Sequence, residues 1–226
     1  MHDHDHSHHD HHDHPHETLP DASPVAEYHE RLETAVRELL VEKGILTAEA
    51  LRRALEDIED RTPALGARLV ARAWVDEAFK ERLLADAPSA ARELGIDVGA
   101  THLTVVENTP EVHNLIVCTL CSCYPRAVLG LSPAWYKSAA YRSRAVREPR
   151  AVLAEFGTEV PAEVTVRVHD STAELRYLVL PLRPPGTEGL GEEALAALVG
   201  RDSMIGVARA RTPEQLGNGV NNADGR

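Results

Sequence analysis

The amino-acid sequence predicts an α+β fold in which helices come first and strands with interspersed helices follow. Two observations lead to this class. Up to about residue 98 the apolar residues recur at helical spacing, whereas short runs with strand-like alternation begin only after residue 99. The chain has 226 residues, 43% of them hydrophobic and only 4% aromatic, so we expect one core built mainly from Leu, Val, Ala and Ile, with room for tails.

Four segments before residue 99 have the apolar spacing of a helix. They lie at residues 32–40, 47–58, 65–84 and 89–94. Gly44 is placed to end the first segment, and Thr47 is placed to cap the second. The third segment predicts one long helix. Together these segments make the N-terminal part of the chain helical.

Strands and helices alternate after residue 99. The apolar patterns predict strands at residues 102–107, 112–117, 164–168 and 174–180, and helices at residues 135–146, 149–156 and 191–199. The Asn108-Thr109-Pro110 segment predicts a hairpin turn between the first two strands. The chain therefore divides into a tail and linker (1–26), a helical arm with further helices (27–98), a domain that carries the chemistry (99–210) and a flexible tail (211–226).

The charge balance excludes two classes of partner. Lys and Arg number 24 and Asp and Glu number 36, which gives a net charge of −12 and argues against binding of nucleic acid or of anionic lipid. No apolar run approaches the roughly 20 residues of a membrane span, and no signal-peptide pattern opens the chain. We therefore expect a cytoplasmic protein.

The first 16 residues hold nine of the thirteen His, interleaved with four Asp. Such a segment has no apolar face to bury and is expected to be disordered. It could capture divalent metal weakly, or it could be a solvated tail with incidental metal affinity.

All three cysteines lie within six residues, as Cys118, Cys121 and Cys123. An odd, clustered set does not fit a secreted disulfide framework. Structural zinc and iron–sulfur sites normally use four ligands, and no second C-x-x-C pair is present. A redox C-x-x-C would leave the third thiol unexplained.

A single ion bound from one side fits this segment better. Three thiolates on so short a loop would turn the backbone nitrogens of Ser122 and Cys123 toward the same ion. Amide nitrogens bind a metal only when deprotonated, which requires a strongly Lewis-acidic ion such as Co(III) or Fe(III). Three sulfurs and two nitrogens leave a sixth octahedral position open, as catalytic sites require.

The sequence around the cysteines resembles the α subunits of nitrile hydratases. The resemblance extends from about residue 30 to about residue 208. It is carried by V-C-T-L-C-S-C-Y-P and also by V-L-G-L, W-Y-K-S, G-A-R-L-V-A-R-A-W, Y-R-S-R-A-V-R-E-P-R, L-P-L-R-P-P-G-T-E-G and R-D-S-M-I-G-V. It implies a layered α-β-β-α-like core with an extended helical N-terminal arm.

The resemblance also implies a site. Cys118, Cys121 and Cys123 would supply sulfur ligands, and Ser122 and Cys123 would supply backbone nitrogens. Cys121 would become a sulfinic acid and Cys123 a sulfenic acid, so Cys121, Ser122 and Cys123 are the expected catalytic residues. Thr119 matches the cobalt branch of the family, which makes Co(III) the expected cofactor and Fe(III) the alternative.

The implied reaction is the hydration of a small nitrile to an amide. A trivalent ion would activate either the nitrile or a water molecule, and the sulfenate oxygen of Cys123 is a further candidate nucleophile. The family needs a β-type partner, as one chain or split in two, whose arginines contact the oxidised sulfurs. A cobalt-insertion activator is a possible second partner.

Arg126 departs from the family pattern, which usually has Trp at this position. Tyr124 and Arg126 are the expected substrate-pocket residues. A guanidinium there replaces an apolar wall with a fixed charge and five donors. It predicts an anionic or polar substrate or a pairing with an acid of the partner, unless the side chain turns outward.

Two alternatives remain beside nitrile hydratase. The γ subunit of thiocyanate hydrolase resembles this chain equally in its cysteine segment, and Arg126 suits a small anion. A metal-binding homologue without activity is the other alternative. Away from the cysteines, His113 and His169 are expected to be structural, and Arg167 and Arg176 are expected on a solvated strand face or a subunit interface.

Overall fold

A computed structural model of the chain describes residues 24–99 and 101–220. The predictions for the His- and Asp-rich tail fall outside the described residues. The chain divides into two compact units, one up to Ala54 and the other from Leu55 onward. No helix in the described ranges is both long and apolar enough to span a membrane.

Helices and strands are mixed as the sequence predicts. The helices are α1 (Pro24–Glu42), α2 (Ala48–Glu59), α3 (Pro63–Val75), α4 (Glu77–Ala85), α5 (Ala87–Glu93), α6 (Arg126–Leu129), α7 (Ala134–Lys137), α8 (Ala139–Arg147), α9 (Pro149–Glu155), α10 (Glu192–Leu198), α11 (Arg201–Ile205) and α12 (Pro213–Val220). The strands are β1 (His102–Glu107), β2 (Val112–Val117), β3 (Thr165–Asp170) and β4 (Leu175–Leu180).

The unit that ends at Ala54 consists of α1 and the start of α2. Gly44 follows α1 with a φ of +66°, a conformation that glycine adopts without steric cost, and so ends the helix where the sequence predicts. Thr47 accepts a hydrogen bond from the backbone N–H of Ala50 (3.0 Å), which confirms its capping role. The apolar side chains Leu32, Val36 and Leu39 are all exposed.

Two predicted helices are each divided in two by a capping residue. The predicted helix at 65–84 breaks at Asp76, whose carboxylate accepts from the N–H of Phe79 (2.9 Å) and starts α4. The predicted helix at 135–146 breaks at Ser138, whose Oγ accepts from the N–H of Tyr141 (3.1 Å) and starts α8. Short polar side chains end one helix and start the next because they bond the backbone themselves.

The four strands form two separate two-stranded parallel sheets. β1 pairs with β4, with Val105 opposite Leu178, and β2 pairs with β3, with Val117 opposite Asp170. The tight turns after β1 and after β3 therefore carry the chain from one sheet to the other. The connection from β2 to β3 holds α6–α9, as a parallel pairing requires.

The predicted hairpin at Asn108-Thr109-Pro110 is wrong, because β1 and β2 do not pair with each other. The turn itself exists, and a bridge joins Thr109 to Val112. The Asn108 side chain bonds the backbone N–H of Asn114 (2.7 Å) and holds the two strands in different sheets. Local turn residues predict a change of direction but do not specify the pairing partner.

The larger of two hydrophobic clusters among the described residues joins α3 and later helices to both sheets. Leu69 of α3, Leu115 of β2 and Leu178 of β4 are all fully buried within it. Gly206 approaches β2 so closely that an added Cβ would lie 2.0 Å from the carbonyl oxygen of Asn114. The core thus fixes the carboxyl ends of β2 and β3 side by side.

The segment predicted to be a flexible tail, 211–226, contains α12. Thr212 and Gln215 form reciprocal bonds at the start of this helix, at 2.9 Å and 3.4 Å. Leu216 packs against Leu195 and Leu198 of α10. One apolar residue and a capping pair thus order part of a segment whose polar composition predicts fraying.

Candidate metal centre

The cysteine loop, residues 118–123, begins directly after β2. Val117 is the last residue of the strand and is fully buried, and Cys118 follows it with no exposure. The loop ends at Tyr124 and Pro125, after which α6 begins. Its tip is Leu120, whose side chain is 88% exposed. The loop is therefore buried where it begins, at Cys118, and exposed to solvent at Leu120.

The three sulfur atoms converge on one point. Cys118 Sγ lies 3.5 Å from Cys121 Sγ, and Cys121 Sγ lies 2.9 Å from Cys123 Sγ. All three lie within 4.8 Å of one another and form no disulfide. Cys118 and Cys123 are buried, whereas Cys121 is exposed. Three thiols thus approach a common centre that solvent reaches from one side.

The backbone of the loop also turns inward. The amide nitrogens of Cys121 and Ser122 each lie 3.3 Å from Cys118 Sγ. Ser122 has a φ of +143°, a region that only glycine occupies readily, and its hydroxyl bonds the carbonyl oxygen of Cys121. Such a conformation costs on the order of 1–3 kcal/mol and persists only where the surroundings impose it. The strain directs the Ser122 amide toward the sulfurs.

Asp170 anchors the loop from the neighbouring strand. Its Oδ1 accepts from the backbone N–H of Thr119 (2.9 Å), and its Oδ2 accepts from the Thr119 hydroxyl (2.6 Å). Asp170 ends β3 as Val117 ends β2, so the carboxyl ends of two parallel strands meet here. This charged, two-point contact fixes the start of the loop.

Three side chains from α7 and α8 hold the rest of the loop and the strand that precedes it. The hydroxyl of Tyr136 donates to the carbonyl of Cys123 (2.8 Å), and that of Tyr141 donates to the carbonyl of Ile116 (2.6 Å). Arg142 donates to the carbonyl of Leu120 (3.1 Å). Each donor satisfies a backbone oxygen, so the loop keeps its shape without regular secondary structure.

The thiols of Cys118 and Cys123 differ in acidity. Burial acts to raise the pKa of Cys118, but backbone N–H groups of Cys121, Cys123 and Ser122 donate to its sulfur and lower that pKa to about 7. Burial and a hydrogen bond with Cys121 raise the pKa of Cys123 to about 12, although the charge of Arg176 acts in the opposite direction. Cys118 therefore reaches the thiolate form before Cys123.

The donor set fits a thiophilic transition metal. Three convergent sulfurs and inward-facing amides match an ion that prefers soft sulfur and can ionise an amide. Among the described residues no other group of three or more His, Cys, Asp or Glu side chains converges in this way. The set does not supply the four-ligand tetrahedron of structural zinc.

A cleft of about 360 Å³ begins next to the cysteine loop. Tyr124 and Arg126 line it, as do Arg61, Arg176 and an apolar wall that includes Leu103. Tyr124 is buried, burial raises the pKa of its hydroxyl, and that hydroxyl has no hydrogen-bond partner. The residues expected at the substrate pocket therefore both face one cleft.

The sequence predicts the candidate donors but not the side chains that support them. The spacing of Cys118, Cys121 and Cys123 was a sufficient signal, and Ser122 followed from it. Asp170 ends a predicted strand, and this signal could have located it. Nothing in the pattern around Arg61 or Arg176 indicated that they line the cleft. The sequence predicts Arg176 on a solvated strand face or at an interface, and it did not indicate that Arg176 lines the cleft.

The structural roles predicted for two histidines are confirmed. His113 Nε2 lies 2.7 Å from the carbonyl oxygen of Gly206, and His169 Nε2 lies 2.8 Å from Asn114 Oδ1. Both rings bridge parts of the fold and take no part in the sulfur cluster.

The sequence that forms this arrangement is similar to those of known proteins. The family model for the alpha chain of nitrile hydratase matches residues 27–208. A low-molecular-weight cobalt-containing nitrile hydratase subunit alpha of Rhodococcus rhodochrous is 55% identical over 183 residues, which cover 80% of this chain and 88% of the relative. The matched range contains the cysteine loop, Asp170 and Arg176.

Two further similarities widen the range of chemistry among the relatives. The thiocyanate hydrolase subunit gamma of Thiobacillus thioparus is 44% identical over 201 residues, covering 84% of this chain and 82% of that subunit. The solved structure of a double mutant of an Fe-type nitrile hydratase from Comamonas testosteroni Ni1 superposes with a TM-score of 0.76 at 42% identity. The match covers 83% of this chain and 92% of that one.

Proposed function

Since the chain belongs to the nitrile hydratase alpha-chain family, we propose that it is the metal-bearing subunit of a cobalt-type nitrile hydratase that hydrates small nitriles to amides. The observation that supports this most strongly is the convergence of three sulfurs within 4.8 Å on a loop whose amides turn toward them. A non-corrin Co(III) centre held by C-T-L-C-S-C would use Cys118, Cys121, Ser122 and Cys123. Enzymatic activity is expected only with a β-type partner.

Several residues of this chain have separate roles at the proposed site. When bound, the trivalent ion supplies the Lewis acidity that makes a nitrile carbon open to attack by water. Cys118 would supply one sulfur, and backbone N–H groups of the loop lower the pKa of its thiol. Tyr136 and Asp170 hold the two ends of the loop and keep the donors convergent. Cys123, which directly precedes Tyr124 of the cleft, would carry the sulfenate oxygen that is a candidate nucleophile.

The reaction adds water across C≡N and transfers no electrons to or from the protein. Oxidation of Cys121 to a sulfinic acid and of Cys123 to a sulfenic acid would precede catalysis and would consume an external oxidant such as dioxygen, which supplies the added oxygens. Exposure of Cys121 supports its access to oxidant. Cys121, Ser122 and Cys123 are the proposed catalytic residues.

Cobalt is the proposed metal and Fe(III) is the alternative. Thr119 and the cobalt-containing relatives favour cobalt, whereas the Fe-type neighbour shares the fold. The proposed partners are a β-type subunit, as one chain or two, and a cobalt-insertion activator. A cytoplasmic location remains a prediction from the sequence.

The test is to co-express the chain with its β-type partner and to measure metal content, intact mass and turnover together. We expect cobalt, two added oxygens on Cys121, one on Cys123, and an amide product from a nitrile. Cys121→Ala should abolish metal retention and turnover. Leu120→Ala, at the exposed tip between the donors, should preserve both and serves as the matched control.

Three outcomes would contradict the proposal. Tetrahedral zinc in the purified complex would contradict the proposed octahedral trivalent ion. Full turnover by Cys121→Ala would remove the sulfur cluster from the chemistry. Free thiols without cobalt would indicate a homologue that has kept the fold and lost the activity.

Thiocyanate hydrolase of the γ-subunit type is the second candidate function. It is favoured by Arg126, which lines the cleft together with Arg61 and Arg176 and would suit a small anion. The relative from Thiobacillus thioparus carries this name at 44% identity. Release of carbonyl sulfide and ammonia from thiocyanate, without amide formation from nitriles, would establish this candidate over the first.

A further inference from the structure

The cleft beside the cysteine loop has an unbalanced charge. Its lining contains three arginines, Arg61, Arg126 and Arg176, and no Asp or Glu. This is unusual in a chain whose acidic residues outnumber its basic ones by 36 to 24. A concave site lined by one sign of charge raises the local concentration of ligands of the opposite sign.

The three guanidinium groups are also unpaired within the described part of the chain. Other arginines form close ion pairs, such as Arg82 with Glu93 (2.9 Å) and Arg144 with Glu148 (2.6 Å). Arg61 and Arg126 have no such partner among the described side chains, and Arg176 makes only a long bond (3.5 Å) to the carbonyl of Leu175. Their donors are therefore available to a ligand.

The rest of the cleft suits a small ligand with an apolar middle. Ile58, Val98, Leu103 and Val128 give it hydrocarbon walls, and its volume of about 360 Å³ lies near the lower limit for small-molecule sites. Backbone at Gly130 closes one side, where an added Cβ would lie 2.2 Å from the carbonyl oxygen of Arg61. A ligand with a compact charged group and a short aliphatic chain fits this lining.

The lining of the cleft begins at the residue that follows the cysteine loop. Tyr124 belongs to the lining and directly follows Cys123. A ligand that occupies the cleft can thus present one end to the cysteine loop and the other to Arg126 and Arg61.

We infer that the preferred substrates are short aliphatic nitriles that carry a carboxylate, with the carboxylate held by the arginines of the cleft and the nitrile directed to the cysteine loop. This inference rests on the proposed function and adds the substrate class to it. A guanidinium binds a carboxylate through two parallel charge-assisted hydrogen bonds, a geometry that a neutral nitrile cannot use.

The test compares two substrates of the same shape on the assembled cobalt complex. 3-Cyanopropanoate and 4-methylpentanenitrile have equal numbers of heavy atoms, and a carboxylate in the first replaces an isopropyl group in the second. We expect kcat/KM to favour 3-cyanopropanoate by at least about tenfold, since a hydrogen bond to a charged group contributes about 1.5–3 kcal/mol.

Variants of the cleft arginines test whether the cleft causes this substrate preference. Arg126→Gln should lower the ratio of the two kcat/KM values by about 10- to 100-fold, and Arg61→Gln should lower it as well. Arg147→Gln removes an equal charge from α8, outside the cleft, and should leave the ratio unchanged. Calorimetry with succinamate, the expected amide product, should show weaker binding to the Arg126→Gln complex, independently of turnover.

Each contrary result has a separate meaning. Equal kcat/KM values for the two nitriles would overturn the inference and leave the proposed function intact. Failure to hydrate either nitrile would overturn both, as would turnover of thiocyanate alone. Loss of the partner from the Arg126→Gln complex on size exclusion would show that Arg126 pairs with an acid of that partner, which also overturns the inference.

Discussion

Asp170 connects a strand end to the cysteine loop through both of its carboxylate oxygens. It accepts from the backbone and the hydroxyl of one residue, Thr119, at 2.9 Å and 2.6 Å. Residues that orient metal ligands without touching the metal typically contribute 10- to 100-fold in affinity or activity. At the scale of single residues, Asp170 is therefore the support on which the donor geometry depends most.

We predict that Asp170→Asn lowers cobalt retention by about 10- to 100-fold, because an amide cannot accept from both donors of Thr119. Elemental analysis after dialysis against a chelator measures the loss. Asp97→Asn is the control, since that carboxylate bonds only the N–H of Gly99 in a surface turn. Equal cobalt retention in the two variants would remove Asp170 from this role.

Gly206 is a second residue whose identity the fold requires. Its φ is +88°, and an added Cβ would meet the backbone of Asn114 at 2.0 Å. Gly206→Ala should lower the free energy of unfolding by about 2 kcal/mol or more, through both the strained φ and the displaced strand. Urea denaturation measures this. Gly189→Ala, which meets no atom within 4 Å, should change stability little.

Single residues were predicted well where the residues around them in the sequence indicate their chemistry. The three cysteines needed only their spacing. Asp170 and Arg176 act through contacts with residues about 50 positions away or across a sheet, and the sequence near them reads as ordinary strand. A residue whose role depends on a distant pairing leaves no local pattern.

At the scale of elements, strand positions were predicted more accurately than strand partners. β1 and β2 lie at the predicted residues because their apolar patterns are strong. Their pairing with β4 and β3 depends on which hydrophobic faces the core brings together, and the turn at Asn108 misled the prediction. Helix ends were missed at Asp76 and Ser138, where one capping side chain outweighs a continuous apolar run.

The contacts of β2 and β3 predict how stability depends on pH. Burial is the main cause that lowers the pKa of His113 on β2 and of His169 on β3 below the ordinary value of 6.5. The unfolded chain therefore binds protons more readily than the folded one. The free energy of unfolding should be fully maintained above pH 6.5 and should fall as the pH drops below it.

Urea denaturation between pH 7.5 and pH 5 on the assembled complex or the isolated chain checks this slope. His113→Gln should flatten it, because the replaced ring no longer competes for a proton. His102→Gln, at an exposed position on β1, serves as the control and should leave the slope unchanged. A stability that rises as the pH falls through this range would contradict the prediction.

At the scale of the whole molecule, the exposed apolar face of α1 is a feature that the chain alone does not explain. Leu32, Val36 and Leu39 expose 46%, 47% and 48% of their surface. Such residues along one helix face are typical of a protein interface. They support the proposed β-type partner, as the prediction of a helical arm already implied.

Leu39→Glu should therefore reduce co-purification of the β-type subunit while the helical content of the isolated chain, measured by circular dichroism, stays unchanged. Burial of an unpaired carboxylate in an apolar interface disfavours association strongly. Glu30→Gln, an exposed substitution on the same helix, is the control. Undiminished co-purification of the Leu39→Glu chain would place the partner elsewhere.

The general class of the molecule was predictable, and its layering was not. Helices first and strands later are plain in the periodicity, and the mixture of both is confirmed. Division of four strands into two parallel pairs depends on contacts between residues such as Val105 and Leu178, which are far apart in the chain. Periodicity describes one element at a time and carries no information on such pairs.

The bond between Thr119 and Asp170 sets an order of events during synthesis. The two residues are separated by 51 positions, so the cysteines leave the ribosome before the carboxylate that anchors them. A nascent chain that stops short of β3 has the sulfur donors but lacks their anchor. If cobalt binds as proposed, we expect a truncated chain ending before Asp170 to release the ion that the full-length chain retains.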